Sequence, residues 1–382
     1  MKSVMSLGLA LMNLRMKASI GVAAFCVGFA LTGEAARVNM HLVRSAAMDK
    51  NIPVTVILPD SYDGVKRYPV VYLLHGAGGC HSTNTWKGMQ ELIDRYDVIL
   101  VSPDGAQTSW WFDSPVDPKM RYETFAAKEV VAWADETFRT IPDRSKRAVT
   151  GGSMGGHGAC YVGFRHKDVF GAVGNVYGGV NLVPFTDRWT IAARLGDYKD
   201  HPERWVEHSV VNQAKSIKNG ELEIMSVVGT GDFFLEVNRE LHAVLTTNKI
   251  AHTYVELRGE DDAESEHTWE TFHRAEKMIL AFFRDFFDRK TVRLTNPTGV
   301  VETDVAEGDR VEIVLDEPAG IAWKTTNDEL STHVIVTHDD KAAKARVVIR
   351  PFCTGPAVVN LYRTKTGDAV DGRAADVSVR IK

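Results

Sequence analysis

Six residues, Gly151-Gly152-Ser153-Met154-Gly155-Gly156, constrain this chain more than any other stretch. The apolar run Arg147-Ala148-Val149-Thr150 before them reads as a short strand, and 154–165 after them reads as a helix with small residues packed into its first turn. A strand passes directly into a helix only through a sharp turn, whose apex residue is strained and holds its side chain clear of the sheet. The flanking glycines remove side chains that would collide with the neighbouring strand and helix. The apex here is a serine, and the helix N-terminus points backbone N–H groups at the place where negative charge develops during attack. Gly-x-Ser-x-Gly alone is a modest signal, because both residue types are common in turns. The strand before it and the helix after it make it a nucleophile elbow.

The rest of the chain supplies the matching framework. Residues 38–43 and 52–58 read as opening antiparallel strands, and 70–74 (VVYLL) is a nearly continuous apolar run suited to a strand buried on both faces. Further strands are expected at 98–101, 172–176, 224–228 and 253–257, and helices at 122–138, 234–248 and 268–287. Strands alternating with helices imply an α/β fold, a mostly parallel sheet with helices on both faces. Residues 181–222, with Pro184, Trp189, Pro202 and Trp205, interrupt the rhythm and are expected to cover the C-terminal edge of the sheet, where ligands bind in such folds. After Arg289 the texture changes to short β-like runs at 311–315, 333–337, 345–349, 357–362 and 377–381, which predict a small β-sandwich acting as a passive spacer.

At the N-terminus Arg15 and Lys17 precede an apolar run at 18–31, followed by Gly33-Glu34-Ala35-Ala36. That is the layout of a secretory signal peptide over 1–35, too short for a comfortable membrane span, and it predicts a secreted or periplasmic protein. The expected organisation is therefore 1–35 signal, 36–289 α/β domain and 290–382 β-sandwich. A formal charge of −5 and no basic cluster give no hint of a nucleic-acid partner. No Cys/His spacing suits a metal, and neither metal nor cofactor is expected. Beyond residue 35 the cysteines are Cys80, Cys160 and Cys353, an odd number that cannot all pair within the chain. Cys160 reads as a buried small hydrophobe.

Ser153 needs a base to take its proton and an acid to orient that base. In α/β-hydrolases these follow in the order Ser, then Asp or Glu, then His. Asp232 ends Gly229-Thr230-Gly231-Asp232 directly after a strand; it suits the acid, and it also suits a cap for the helix beginning near Phe234. His267 lies between the last strand and the last long helix, and of the thirteen histidines only it occupies that place. An oxyanion would take the backbone N–H of Met154 and a second from His75-Gly76-Ala77-Gly78-Gly79, with Ala77 the first choice and Gly76 and Gly78 the alternatives. His75 is expected to tie that loop. Trp110 and Trp111, on a loop after another strand, either line an acyl or sugar pocket or pack the loop onto the body.

Together, Leu74-His75-Gly76, Ser109-Trp110-Trp111, Gly152-Ser153-Met154-Gly155-Gly156, Gly231-Asp232 and His267-x-Trp269 resemble the esterase D and feruloyl esterase branch of the α/β-hydrolases, over about residues 38–288. The resemblance implies a Ser153, Asp232, His267 triad and ester hydrolysis without cofactor or metal. The expected activity is hydrolysis of acetyl or feruloyl esters of polysaccharide. A general short-chain carboxylesterase, an acyltransferase of the same fold and an inactive carbohydrate-binding scaffold are the alternatives, and the chain leaves its oligomeric state open.

Overall fold

The computed structural model describes residues 38–259, 263–289, 291–303, 310–317, 319, 321–327, 332–339, 343–351, 357–365 and 375–381. The expected signal segment and Cys353 lie outside the described residues.

The chain opens with a hairpin of β1 (Val38–Ser45) and β2 (Lys50–Ile57), followed by β3 (Val70–Leu74), α1 (Lys87–Tyr96), β4 (Ile99–Pro103), α2 (Tyr122–Thr124) and α3 (Val130–Thr137). Next come β5 (Arg147–Gly152), α4 (Met154–Arg165), β6 (Ala172–Val176) and the short helices α5 (Ala192–Leu195), α6 (Pro202–His208) and α7 (Val210–Gln213). The α/β part closes with β7 (Glu223–Gly229), α8 (Leu235–Thr247), β8 (Thr253–Leu257) and α9 (Trp269–Asp288). Its eight strands form one sheet in the order β1-β2-β4-β3-β5-β6-β7-β8. Only β2 runs against its neighbours, and every pairing from β4 to β8 is parallel. Residues of β3, β4, β5 and β6 are buried throughout, which explains the unbroken apolar run of β3. One face packs on α1 and α9, the other on α3, α4 and α8.

Two local readings change. The sequence reading does not anticipate α1, whose buried Met89, Leu92 and Ile93 show helical spacing over only ten residues. The helix expected at 122–138 is broken by a π turn over Phe125–Glu129. Glu129, its last residue, accepts from Ser45 Oγ (2.6 Å) and the Ala47 N–H (2.9 Å), tying the helix to the opening hairpin.

At the elbow, α4 passes so close to β3 that a Cβ on Gly155 would lie 1.9 Å from the Leu74 carbonyl oxygen and 2.9 Å from that of His75. Both obstacles are backbone of the strand end that carries the Gly-rich loop. Gly155→Ala is therefore expected to destabilise the protein by about 3 kcal/mol, against the roughly 1 kcal/mol that Ala ordinarily gains over Gly in a helix. Thermal unfolding measures this, and an unchanged Tm would show that the two backbones separate at no cost.

Beyond α9 follow β9 (Thr291–Thr295), β10 (Gly299–Thr303), β11 (Arg310–Asp316), β12 (Ile321–Asn327), β13 (Thr332–Asp339), β14 (Lys344–Pro351), β15 (Ala357–Lys365) and β16 (Val377–Ile381). They form two sheets, β10-β16-β15-β12 and β13-β14-β11-β9. Val311, Ile313, Val347 and Ile349 of one sheet and Val359, Leu361, Val377 and Val379 of the other fill a single core, which makes a β-sandwich. Three of its strands, β9, β10 and β12, escape the sequence reading. β9 and β10 pair in parallel with β11 and β16, and β10 is mostly exposed, so it shows little apolar alternation. Arg293 of β9 pairs with Asp143 of the α/β body and with Glu312 of β11.

Candidate active site

Ser153 sits at the apex between β5 and α4 with φ 59° and ψ −121°. A non-glycine residue in this region stores about 1–3 kcal/mol of strain and persists only when its surroundings over-determine it. Its N–H donates to the Val176 carbonyl (3.0 Å) and its carbonyl accepts from the His157 N–H (3.0 Å), so β6 and α4 both hold the turn. Gly76 lies against it: a Cβ there would stand 3.3 Å from Ser153 Cβ.

Ser153 opens into a cavity of about 410 Å³ lined by Leu74, Gly76, Ala77, Asn84, Gly152, Tyr177, His267, Thr268, Trp269 and Phe272. Of the expected site residues, the structure brings Ser153, His267, Gly76 and Ala77 to this wall. His267 is fixed from behind. Its Nδ1 lies 2.8 Å from Asp232 Oδ2, and the Asp232 side chain is fully buried. Asp232 Oδ1 accepts from the Phe234 N–H (2.7 Å), so the carboxylate turns its two oxygens to two donors. With Nδ1 donating, Nε2 of His267 is left as the acceptor. Tyr177 and Phe233 pack on the imidazole with ring centroids at 4.0 and 4.4 Å, limiting its rotation. The two loops carrying this pair are joined by the Gly231 N–H, which donates to the Ser265 carbonyl (2.9 Å). Thr268 caps α9 by accepting from the Thr271 N–H, which sets where that helix starts beside His267.

His75 ties its loop as expected. Its Nε2 accepts from the Gly105 N–H (2.8 Å), which requires the ring proton on Nδ1, and Nδ1 donates to the Gly76 carbonyl (2.8 Å). Burial holds its pKa below the ordinary value, which keeps it neutral. Gly78 does not line the cavity; its N–H donates to the Gln107 carbonyl (2.9 Å).

The tryptophan pair requires correction as substrate-binding residues. Trp110 and Trp111 are 1 and 0 % exposed and neither lines the cavity. Both adopt positive φ. Trp111 Nε1 donates to the His75 carbonyl (3.3 Å), and its ring fills space left open by Gly105 and Gly158. Trp110 packs edge-on to His157 and donates from Nε1 to the Trp189 carbonyl (3.3 Å). Trp111 thus packs against the loop that begins at His75, Trp110 packs against α4 and the 181–222 insertion, and neither faces solvent. The 181–222 insertion leans on the Asp232 loop, with Trp189 against Phe233 and Phe185 against Phe234.

Several residues escape the sequence reading. Tyr177 follows β6 directly, and its hydroxyl donates to the Thr268 carbonyl (3.3 Å). Asn175 and Asn238 form a buried network: Asn175 Nδ2 donates to Ser226 Oγ and Asn238 Oδ1 (both 2.7 Å), and Asn238 Nδ2 donates to the Gly178 and Phe234 carbonyls (both 2.9 Å). A single polar residue in an apolar strand is the only local sign of such a network.

Glu276 of α9 is wholly buried, and Thr150 Oγ1 of β5 donates to its Oε1 at 3.3 Å. Burial pushes its pKa up to about 8, so the acid is neutral at pH 7. Below the unfolded value of 4.5 both states hold the proton; between 4.5 and about 8 only the folded state does, so stability falls as pH rises through that window. Glu276→Gln is expected to be more stable than the wild type by roughly 4 kcal/mol at pH 8, with the gap closing toward pH 4.5. Denaturation midpoints across that range test it, and a gap that does not change with pH would refute it.

Comparison with known proteins places the chain in a family. The family model described as "Putative esterase" matches residues 45–282. The chain belongs to this esterase family. Among curated relatives, Esterase Rv1288 of Mycobacterium tuberculosis is 34% identical over 152 residues, covering 38% of this chain and 33% of that protein. The chain thus spans about a third of the length of that relative. Acetyl esterase of Caldicellulosiruptor saccharolyticus is 23% identical over 248 residues, 57% of this chain and 89% of the relative. Among solved structures, a ferulic acid esterase matches with a TM-score of 0.56 and 26% identity, covering 65% of this chain and 98% of its own. Mycobacterium tuberculosis MPT51 (FbpC1) shares the fold at a TM-score of 0.54 and 19% identity, covering 66% of this chain and all of its own. Among the described residues, no helix is long and apolar enough to cross a membrane.

Proposed function

We propose that this esterase-family protein is a secreted serine carboxylesterase that releases acetyl or feruloyl groups from polysaccharide through an acyl-enzyme. One observation carries the reading: Ser153 and His267 face a common cavity while buried Asp232 holds His267 Nδ1 at 2.8 Å. In this mechanism Ser153 Oγ attacks the ester carbonyl. His267 Nε2 takes the serine proton and returns it to the leaving alcohol. Asp232 keeps the imidazole proton on Nδ1 and stabilises the imidazolium. The N–H groups of Met154 and Ala77 receive the oxyanion. Water, activated by the same histidine, then frees the acid. Support for the acyl class comes from relatives named as an acetyl esterase and a ferulic acid esterase. The apolar run at 18–31 is assigned to export, and 290–382 to a passive packing domain.

Hydrolysis of 4-nitrophenyl acetate, butyrate and octanoate, methyl ferulate and acetylated xylan by the wild type tests this. Preference for ferulate or acetylated xylan, dependent on Ser153, is expected. Turnover of only the small acetate and butyrate esters would overturn the polysaccharide assignment, and no Ser153-dependent turnover would overturn the esterase assignment.

A further inference from the structure

Resting on that polysaccharide reading, we propose that a second cavity, walled by the C-terminal end of α4, by α6 and by the loop at 113–115, binds a short segment of neutral oligosaccharide and holds the polymer while Ser153 acts on its esters. This cavity has a volume of about 690 Å³ and shares no lining residue with the catalytic one. Tyr161, Arg165 and His166 bring α4 to its wall, and Glu203, Glu207 and His208 bring α6. Arg165 ends α4, so its backbone lies about 18 Å from that of Ser153 by helix rise.

His208 is the group that points to a ligand. It is 8 % exposed, and its ring stacks on that of Tyr161 with centroids at 5.6 Å and planes 11° apart. Its Nδ1 lies 2.7 Å from the Arg204 carbonyl oxygen, so Nδ1 donates and Nε2 is the acceptor. Nε2 has no hydrogen-bond partner among the described residues and, unlike Nδ1 of His157, is not sealed from solvent. The ring lines the second cavity, so the little surface it keeps opens there. Burial holds its pKa below the ordinary value, which keeps the ring neutral at pH 7. A rigid neutral acceptor of this kind calls for an O–H donor, and a fully ionised phosphate or carboxylate has no proton to give it.

The charges on the wall lead to the same class. Arg121 pairs with Asp113 at 3.0 Å, and Arg165 pairs with Glu123 at 2.8 Å. The remaining cations, Lys128 and Arg204, are balanced by Glu203 and Glu207. The cavity therefore offers donors and acceptors in a volume typical of ligand sites, with no net charge to draw an ion. Sugar hydroxyls donate and accept at once, which matches such a wall. A polymer held here is kept at high effective concentration near Ser153, without any contact to the reacting ester.

The test is calorimetric titration of full-length Ser153→Ala with xylohexaose, cellohexaose, maltohexaose and inorganic phosphate, repeated with Glu207→Ala and with His208→Phe added. His208→Phe keeps a ring in the stack and removes Nε2. Glu207 is exposed, so Glu207→Ala carries the test should His208→Phe fail to fold. At least one oligosaccharide is expected to bind, and each substitution to weaken it by about tenfold. In the active enzyme, Glu207→Ala should lower kcat/KM on acetylated xylan, relative to that on 4-nitrophenyl acetate, by a similar factor. Binding of none of the three oligosaccharides, or binding that Glu207→Ala leaves unchanged, would overturn the proposal. Phosphate binding tighter than any of them would overturn the neutral ligand. The titration needs no turnover, so an oligosaccharide held through Glu207 and His208 supports the site even if the esterase reading fails, and an active esterase that binds none refutes the site alone.

Discussion

Ser153→Ala is expected to lower kcat on 4-nitrophenyl acetate by on the order of a millionfold, the scale seen when the nucleophile of a serine triad is removed. The substitution deletes one oxygen and keeps the Cβ, so the strained φ of 59°, the β6 hydrogen bond and the cavity wall all remain. Its Tm should stay within a degree or two of the wild type. Loss of turnover with an intact fold separates a chemical role from a structural one. A rate within tenfold of the wild type would remove Ser153 from the mechanism and return the elbow to a turn of no catalytic meaning.

Asp232→Asn is expected to cost about four orders of magnitude in kcat. The reason lies in how the two oxygens are used. Oδ1 accepts from the Phe234 N–H at 2.7 Å, and an asparagine oxygen would keep that bond. The amide NH₂ would then replace Oδ2 and face His267 Nδ1, now 2.8 Å from a carboxylate. Nδ1 would become an acceptor, the ring proton would move to Nε2, and Nε2 could no longer take the Ser153 proton. The measurement is kcat for the variant with Tm as control. A loss of less than tenfold with the fold intact would show that the tautomer is set by something other than Asp232.

The same residue shows how the sequence could be read and where it ran out. Sequence position left Asp232 open between a catalytic acid and a helix cap. The structure uses one carboxylate oxygen at the start of α8 and the other on His267, a combination that a local pattern cannot distinguish from either alone. For Trp110 and Trp111, the sequence left pocket lining and loop packing open, and the structure buries both rings in the packing role, which nothing within the loop announces. The signal lay elsewhere, in Gly105 and Gly158, where the missing side chains leave room for the Trp111 ring.

By itself, the sequence determined the strands of the α/β part and its helices other than α1 and the short helices α5, α6 and α7, together with the elbow and the β character of the C-terminal region. Those features rest on backbone preference and burial periodicity, both expressed over about ten residues. Tertiary structure decided which residues share the cavity. Asp232 and His267 are 35 positions apart. They meet because β7 and β8 pair in parallel and turn their following loops to the same edge of the sheet as the elbow after β5. Which side chains face that edge, and which polar atoms are left unpaired there, depends on packing among segments that no local pattern connects.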